Sequence, residues 1–334
     1  MREPRTFAAA VAPPSFSLCR LVSLALLLTL CALLHGLSAV HAEEPTARRP
    51  LTGAQVLAAS QPSEWAPLDP QNTIYFELPA GRVVIALAPR FASRYVTNIK
   101  LLVRQGFFDG TPILRVQDDY VTQWGDASSP ERPLGAAQRT LPAEFMVSAR
   151  EVPFTALPDP DTYAPEVGFS EGFPAARDPK IGRAWLVHCY GMVGAGRDVD
   201  VDSGNGSELY AVIGQAPRQL DRNIALVGRV VQGMELLAAL PRGKGELGFY
   251  DKQQPRPIIR AAHVAADVPV EQRTALEVLR TDSRSFAEWV ESRRNRRDPW
   301  FKVPAGRIDV CNIPIPVRAA RPTAQSEGAT SSAH

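Results

Sequence analysis

The chain has 334 residues, of which 45% are hydrophobic, so it can bury a full core in one large domain or two small ones. Its net charge of +2 at pH 7 gives a nucleic-acid partner no compositional support. Thirty prolines against 23 glycines indicate long, ordered loops.

Residues 1–42 have the pattern of a targeting segment. Three arginines precede an apolar run from Leu21 to Leu34, and Val40-His41-Ala42 suits cleavage by a signal peptidase. We predict a signal peptide that is cut after Ala42 and a periplasmic or secreted protein without stable membrane insertion. An uncleaved anchor is the alternative, and it is disfavoured because the apolar run is shorter than the ~20 residues of a spanning helix.

Residues 43–70 are predicted to form an N-terminal arm that contains one short helix. The helix covers Thr52 to Ala59, because Thr52 can serve as the N-cap and Gln55 stands three residues later, as in a capping box.

The arm is followed by a predicted hairpin and a helix. Apolar residues alternate in Thr73–Leu78 and in Arg82–Leu87, and Pro79-Ala80-Gly81 joins the two runs, which is typical of a β-hairpin. Phe91–Gln105 has apolar residues at helical spacing and is stopped by Gly106.

Short strands dominate the next part of the chain. Two of them surround Arg115 and Gln123, and residues 127–178 are predicted to be a long loop or insertion because they are rich in Pro, Ser, Ala and Asp. Three later segments are predicted to be strands: Ala184–Val193, Glu208–Ile213 and Ala225–Val231. They are followed by a short helix at Met234–Leu240 and a last strand at Ile258–Val264. This order favours a mainly β, closed antiparallel structure, and we place the domain at residues 71–267.

Residues 268–318 form a C-terminal extension of different character. Glu271 to Arg297 contains seven arginines and five acids, and its apolar residues fall roughly on one side of a helix or helix pair, at Leu276, Leu279, Phe286, Trp289 and Val290. A solvated helix packed on the domain is favoured over a nucleic-acid or membrane site. The tail at 319–334 is rich in Ala, Ser and Thr and is predicted to be disordered.

Cleavage of the signal peptide would leave two cysteines, Cys189 and Cys311. In an oxidising compartment they could form a disulfide that ties the tail to the domain. Two separate buried thiols are equally compatible with the sequence, because the sequence does not show whether their Cα atoms come close enough.

Motifs for metal or nucleophile chemistry are weak. Asp198-Val199-Asp200-Val201-Asp202 resembles the start of a calcium loop, but Ser203 and Leu209 stand where glycine and a bidentate glutamate are needed. We interpret His188, which neighbours Cys189, as structural. The sequence has no G-x-S-x-G, P-loop or H-E-x-x-H motif, so we expect neither a cofactor nor a metal.

The run from Arg115 to Asp126 presents an arginine and a glutamine among apolar residues, with no evident nucleophile. Together with three other blocks it resembles, in order and spacing, the cyclophilin-type peptidyl-prolyl isomerases; the four blocks are Gly106–Pro112, Arg115–Asp126, Gly204–Tyr210 and Gly228–Met234. The resemblance covers roughly Gln71 to Asp267 and is that of a divergent bacterial secreted member. It implies a closed eight-stranded antiparallel β-barrel capped by two helices.

The resemblance also implies functional residues. Arg115 matches the main catalytic arginine, and Gln123 matches the glutamine beside it. The substrate-binding positions are occupied here by Tyr120, Val121, Glu208, Tyr210, Leu220 and Arg197. Departures from the family pattern are Glu208 for glutamine, Gln219 for tryptophan, Ile224 for histidine and Arg197 for asparagine.

The chemistry explains why no acid, base or nucleophile is needed. An X-Pro bond isomerises by rotating out of planarity against a barrier of about 18 to 20 kcal/mol, and no covalent bond breaks. An apolar pocket would hold the proline ring while Arg115, which stays protonated, stabilises the twisted amide, with Gln123 positioning the carbonyl or Arg115 itself. The expected partners are proline-containing segments of exported proteins that are folding.

Two alternatives remain open at this point. Arg115 could be a surface arginine paired with Asp118 or Asp119. The protein could also be a cyclophilin-shaped chaperone or assembly module with little turnover, in which Glu208 and the missing tryptophan mark a lapsed active site and the C-terminal extension supplies the partner surface. Glu208 could either orient Arg115 or compete with the substrate for it.

Overall fold

The computed structural model describes residues 51–125 and 132–321. The predicted signal peptide and most of the predicted C-terminal tail lie outside these residues. No helix in the described ranges is long and apolar enough to cross a membrane.

The described chain contains four α-helices and sixteen strands. The helices are α1 (Gly53–Ala59), α2 (Ser93–Arg104), α3 (Met234–Ala238) and α4 (Arg284–Arg294). The strands are β1 (Trp65–Pro67), β2 (Thr73–Leu78), β3 (Gly81–Leu87), β4 (Ile113–Val116), β5 (Val121–Gly125), β6 (Val147–Ser148), β7 (Thr155–Ala156), β8 (Glu166–Ser170), β9 (Phe173–Asp178), β10 (Arg183–Leu186), β11 (Met192–Ala195), β12 (Glu208–Val212), β13 (Leu226–Gln232), β14 (Ala261–Val264), β15 (Leu276–Leu279) and β16 (Val317–Ala319).

The local signals at the start of the chain produced the predicted elements. Thr52 caps α1 by accepting from the Gln55 backbone, and the Gln55 side chain returns to the Thr52 backbone, which completes the capping box. Strands β2 and β3 form the predicted hairpin, paired from Thr73↔Ala86 to Leu78↔Gly81.

The largest sheet has eight antiparallel strands in the order β14-β2-β3-β13-β11-β12-β5-β4. It curls around an apolar core that includes Ile74, Phe76 and Trp124, and α2 contributes Ile99 and Leu102 to the same core. The predicted eight-stranded antiparallel sheet is therefore confirmed. Complete closure of the sheet into a barrel is not confirmed. The two edge strands, β4 and β14, are connected only near their ends by the isolated bridge Pro112↔Ile258, and they do not form a continuous ladder.

The expectation of an irregular loop over residues 127–178 is wrong for its second half. Strands β6 to β9 lie within it, and they form a five-stranded sheet with β10 in the order β6-β10-β9-β8-β7. The strands are short and contain Ala, Gly and Pro, as in the pair Ala156↔Gly168, so intrinsic propensity did not reveal them. Cross-strand pairing and burial of Phe169 and Trp185 stabilise the sheet.

The C-terminal extension is only partly helical. The first half of Glu271–Arg297, expected to be helical, contains β15, which pairs with β1 and β16 in a three-stranded sheet. Helix α4 begins only after Ser283, whose side chain accepts from the Phe286 backbone. Leu276 and Leu279 have the spacing of apolar residues on a helix, but this segment forms a strand because it pairs with β1, as in Trp65↔Leu279.

A second apolar core lies on the outer face of the eight-stranded sheet. Met192 of β11 and Leu226 of β13 belong to it, together with Trp185, Phe169 and Phe286 from the added sheet and α4. The rings of Phe169 and Phe286 meet edge to face with centroids 4.9 Å apart. The insertion and the extension are thus packed on the barrel wall.

A disulfide joins Cys189 to Cys311, with their Cα atoms 4.9 Å apart. It links the segment before β11 to the C-terminal extension across 122 residues of sequence. Of the two possibilities that the sequence left open for these cysteines, the structure has the covalent bridge.

Candidate active site

The hairpin of β4 and β5 places Arg115 opposite Gln123. The two residues are cross-strand partners, and Arg115 Nη1 donates to Gln123 Oε1 at 3.3 Å. Both side chains are half-buried. The family resemblance implied that Gln123 lies beside Arg115, and it does, because the two residues pair across the hairpin.

The Arg115 guanidinium is held by three acceptors. Its Nε donates to the Leu247 carbonyl oxygen at 2.5 Å, and its Nη2 donates to the Gln117 side-chain oxygen. With Gln123, these contacts use three of the five N–H groups of a guanidinium, which leaves one N–H on each terminal nitrogen. The side chain is therefore fixed in orientation while it keeps donors for a further acceptor.

The carboxylates suggested as surface partners of Arg115 have other partners. Asp118 forms a salt bridge with Arg242 at 2.9 Å, and the Asp119 carboxylate accepts from the Gln215 backbone at 2.9 Å. The interpretation of Arg115 as half of a surface ion pair with either residue is thus wrong.

Two aromatic rings flank the guanidinium. The Arg115 Cζ atom lies 5.3 Å from the centroid of Tyr120 and 5.3 Å from that of Phe249. Such contacts attract a cation to the ring face. Phe249 was not predicted as a site residue, and it is 40% exposed beside Arg115.

Phe249 reaches the site through a loop that sequence reasoning missed. The loop pairs with β4, since the Gly243 backbone donates to Val116 and the Tyr250 backbone to Leu114. Gly248 makes this approach possible, because a Cβ there would lie 2.6 Å from the Gln117 Cα atom. The glycine spacing at 243, 245 and 248 was the available signal for a tight loop, but it did not indicate which strand the loop covers.

Electrostatics at the site favour a charged but partly dehydrated arginine. Burial lowers the pKa of Arg115 below its ordinary value, while Tyr120 and Glu208 act in the opposite direction. The guanidinium nevertheless remains protonated at neutral pH.

A small apolar cluster lies next to the arginine. It contains Val121, Tyr210 and Val212, which are buried, and the partly buried Tyr120 and Ile224. Three of the predicted pocket residues, Tyr120, Val121 and Tyr210, are therefore brought together. Leu220, the fourth, is half-buried in the turn Arg218–Leu220 and is not a member of this cluster.

Tyr210 is anchored by a buried polar network. Its hydroxyl lies 2.9 Å from His188 Nε2, and His188 Nδ1 lies 2.8 Å from the Asp221 carboxylate. Arg218 extends the network, because it donates to Asp221 at 2.6 Å and to both carboxylate oxygens of Asp161. Because a carboxylate only accepts, His188 donates from Nδ1 to Asp221, and an imidazole with its proton on Nδ1 can accept a hydrogen bond from the Tyr210 hydroxyl at Nε2.

Two features of this network bear on the sequence analysis. His188 is fully buried and serves as a support for Tyr210, which agrees with the interpretation that it is structural. Gly194, on the neighbouring strand β11, pairs with Tyr210 and leaves room for its hydroxyl, because a Cβ at Gly194 would overlap the end of the ring. No motif in the sequence indicated that a glycine is needed at this position.

The two predicted polar contacts occupy different surroundings. Glu208 accepts a hydrogen bond from the Gln123 side-chain amide, which places its carboxylate next to the Arg115–Gln123 pair. Arg197 uses its guanidinium to hold loops, donating to the Asn223 carbonyl at 2.9 Å and to the carbonyls of Asp198 and Val199.

The arrangement can bind and polarise an amide without reacting covalently. It offers oriented N–H donors beside an apolar surface, which suits a neutral group that develops a lone pair when it twists. Among residues 51–125 and 132–321, no three His, Cys, Asp or Glu side chains form a group that could hold a metal ion.

Comparison with known proteins defines the class of this protein. The family model described as "Cyclophilin type peptidyl-prolyl cis-trans isomerase/CLD" matches residues 73–264. The chain belongs to the family of cyclophilin-type peptidyl-prolyl cis-trans isomerases. It is accordingly an enzyme that interconverts the cis and trans forms of X-Pro peptide bonds.

Individual relatives agree with this assignment. A probable peptidyl-prolyl cis-trans isomerase of Brucella suis biovar 1 (strain 1330) is 27% identical over 185 residues, which are 52% of this chain and 74% of that protein. A putative thylakoid lumen peptidyl-prolyl cis-trans isomerase of Synechocystis sp. is 27% identical over 158 residues, 44% of this chain and 38% of that protein.

A solved structure resembles the fold over a longer range. It is that of cyclophilin AquaCyp293 from Hirschia baltica, with 26% sequence identity and a TM-score of 0.64. The similarity covers 81% of this chain and 99% of the other, so it extends beyond the residues matched by the family model.

Proposed function

We propose that the protein isomerises X-Pro bonds by means of Arg115, which stabilises the twisted amide beside the apolar cluster of Val121, Tyr210 and the partly exposed Tyr120. The observation that carries this proposal is the fixed guanidinium with one N–H remaining on each terminal nitrogen. A twisted amide regains a lone pair on nitrogen, and a preorganised charged donor stabilises that lone pair more than it stabilises the planar ground state.

Gln123 and Phe249 have supporting roles in this proposal. Gln123 holds Arg115 by its side-chain oxygen, so it positions the donor. Phe249, like Tyr120, lies against the guanidinium and reduces its contact with water. Both effects strengthen an electrostatic interaction, because it acts in a lower dielectric and needs no reorientation.

The test is the rate of cis-to-trans conversion of an X-Pro peptide, measured with the wild-type protein and with Arg115→Ala. We expect kcat/KM to fall by about 100-fold, as for the loss of one preorganised donor. Arg115→Lys keeps the charge without the rigid fork and is expected to recover only part of the rate. Arg104→Ala, which breaks an exposed pair with Asp267, is the matched control and should leave the rate unchanged.

The same experiment separates the enzyme from a binding module. Equal rates for the wild-type protein and Arg115→Ala would contradict the proposed mechanism. Binding of an unfolded client that survives Arg115→Ala, together with a wild-type rate no higher than the uncatalysed one, would favour a chaperone or assembly module.

We further propose that the enzyme acts on exported proteins. Support comes from the apolar run Leu21–Leu34, from the Cys189–Cys311 disulfide, which favours an oxidising compartment, and from the relative named for the thylakoid lumen. Mass spectrometry of the protein purified from the native host should find Glu43 as the N-terminal residue. A protein that retains residues 1–42 in a reducing compartment would contradict this proposal.

A further inference from the structure

Arg229 is a buried arginine without a counter-ion among the described residues. It lies on β13 between Ala86 of β3 and Met192 of β11, and it points away from the barrel core. The residue is only 9% exposed. Within the described residues, its side chain forms one hydrogen bond, from Nε to the Gly172 carbonyl oxygen at 2.8 Å.

A buried guanidinium in this state is unusual. Taking a charge out of water is unfavourable unless a partner of opposite charge or several acceptors replace the solvent. Burial lowers the pKa of Arg229 to about 10, and no carboxylate acts against that effect. The group therefore stays charged at neutral pH, with the two terminal nitrogens lacking an acceptor in the described chain.

The terminal nitrogens have space before them. A cavity of about 160 Å³ is lined by Arg229 and by residues from four other parts of the fold: the segment from β1 to the start of β2, strand β3, the β8–β9 turn and strand β15. Its polar lining comprises Asp69, Asn72, Thr73, Glu171 and Gly172. The volume suits a small ligand or the end of a larger one.

The acids of this cavity are already engaged. Asp69 accepts from the Gln71 backbone and the Asn72 side chain, and Glu171 pairs with Arg90 at 2.8 Å. Lys100 adds a positive charge, because its Nζ donates to the Asn72 side-chain oxygen at 3.2 Å. Glu171 is thus neutralised by Arg90, and neither carboxylate of the lining pairs with Arg229 in the described part of the chain.

We propose that the cavity at Arg229 is a binding site for a small oxyanion, a carboxylate or a phosphate, held by the two terminal nitrogens of the guanidinium. The planar fork matches the two oxygens of such a group and forms paired charge-assisted hydrogen bonds with it. The site is separate from Arg115 and its apolar cluster, and it exists because the added sheets cover an outward-facing side chain of the barrel.

The test is thermal unfolding and calorimetric titration of the whole protein with sodium phosphate and with sodium acetate, against sodium chloride at equal ionic strength. One or both oxyanions should raise Tm saturably, by about 3 °C at roughly ten times Kd, whereas chloride should not. Arg229→Gln, which can still donate to Gly172, should weaken binding at least about tenfold. Arg284→Gln, which removes an exposed arginine of α4 outside the cavity lining, is the matched control and should retain binding.

Two further measurements identify the chemical source of the oxyanion and test the proposal on the wild-type protein, where a folding defect of a variant cannot affect the result. A peptide with a free C-terminal carboxylate, compared with its C-terminal amide, distinguishes a chain end from a free phosphate. The Arg229 side-chain ¹⁵N resonances of the wild-type protein should shift on titration with the anion that binds. The proposal is overturned if neither anion exceeds chloride, or if Arg229→Gln responds like the wild type and the Arg229 resonances do not move.

Discussion

Gln123 donates from its side-chain amide to the Glu208 carboxylate, while its side-chain oxygen accepts from Arg115. Glu208 therefore acts on the candidate catalytic arginine through a glutamine that is fixed at both ends. This relationship favours an orienting role for Glu208, and it places a negative charge at the edge of the proposed substrate site.

The Glu208 charge should make the enzyme selective for the residues around proline. Peptides with lysine next to the X-Pro pair should have a kcat/KM about two- to fivefold above those with glutamate, as expected for a half-exposed charge pair. Glu208→Gln keeps a hydrogen-bonding side chain and should remove the preference. Matched peptides with both enzymes at low and high salt provide the measurement, and an unchanged preference in Glu208→Gln would show that the carboxylate does not face the substrate.

The Tyr210 hydroxyl should contribute to stability more than to catalysis. Tyr210→Phe keeps the ring in the apolar cluster but leaves the buried His188 Nε2 without its partner. We expect the free energy of unfolding to fall by about 1 to 3 kcal/mol, the cost of an unsatisfied buried polar atom. Urea unfolding and isomerase kinetics test the two effects separately, and a large loss of kcat/KM with unchanged stability would reverse their assignment.

The disulfide should stabilise the folded chain strongly. Because it closes a segment of 122 residues, its removal in the double variant Cys189→Ser, Cys311→Ser should lower the free energy of unfolding by about 4 kcal/mol. Urea titrations of the wild-type protein with and without reductant, beside the double variant, measure the difference. Coincident curves for oxidised and reduced protein would mean that the bridge adds nothing to stability.

Acid should destabilise the network below Tyr210. Burial raises the pKa of Asp161, but hydrogen bonds and charge from Arg218, with two backbone donors, outweigh burial and hold the pKa below its ordinary value of 3.8. Because the pKa of Asp161 is lower in the folded than in the unfolded chain, its carboxylate stabilises the fold at any pH above the unfolded-state pKa. This stabilisation is lost as the pH falls from the unfolded-state pKa through the folded-state pKa. Urea unfolding from about pH 6 to about pH 3 should show this loss. In Asp161→Asn, the free energy of unfolding should fall less steeply with decreasing pH, and near neutral pH it should be about 3 kcal/mol below that of the wild type. An acid dependence identical to that of the wild type would contradict the role assigned to Asp161.

The extent to which the sequence could be interpreted depended on how local the signals are. The capping box at Thr52 and the hairpin after Thr73 depend on residues close in sequence, and both features were predicted. The proximity of Gln123 to Arg115 was implied by the family resemblance, whereas their pairing across a hairpin was not predicted. Leu276 and Leu279 have a spacing that fits both helix and strand, and only pairing with β1 and β16 decides between them.

The missed parts of the candidate site all come from distant segments. Phe249 lies 134 positions after Arg115 in the sequence, and the partners of His188 are contributed by strand β12 and by the turn that contains Asp221. Arg229 occupies an outward position on a barrel strand, where sequence alone predicts an exposed residue. Its burial follows from the added sheets, whose own strands were too short and too rich in small residues to be predicted.

The second core changes what the eight-stranded sheet has to do. On β11, Val193 faces the core inside the eight-stranded sheet, and its neighbour Met192 faces the second core under the added sheets. On β13, Val227 faces the first core and Leu226 faces the second. Along β11 and β13 the sheet is therefore a partition between two apolar compartments instead of a boundary with water. A chain cut after residue 267 would turn one of these compartments into open surface, and we expect it to aggregate instead of acting as a smaller isomerase.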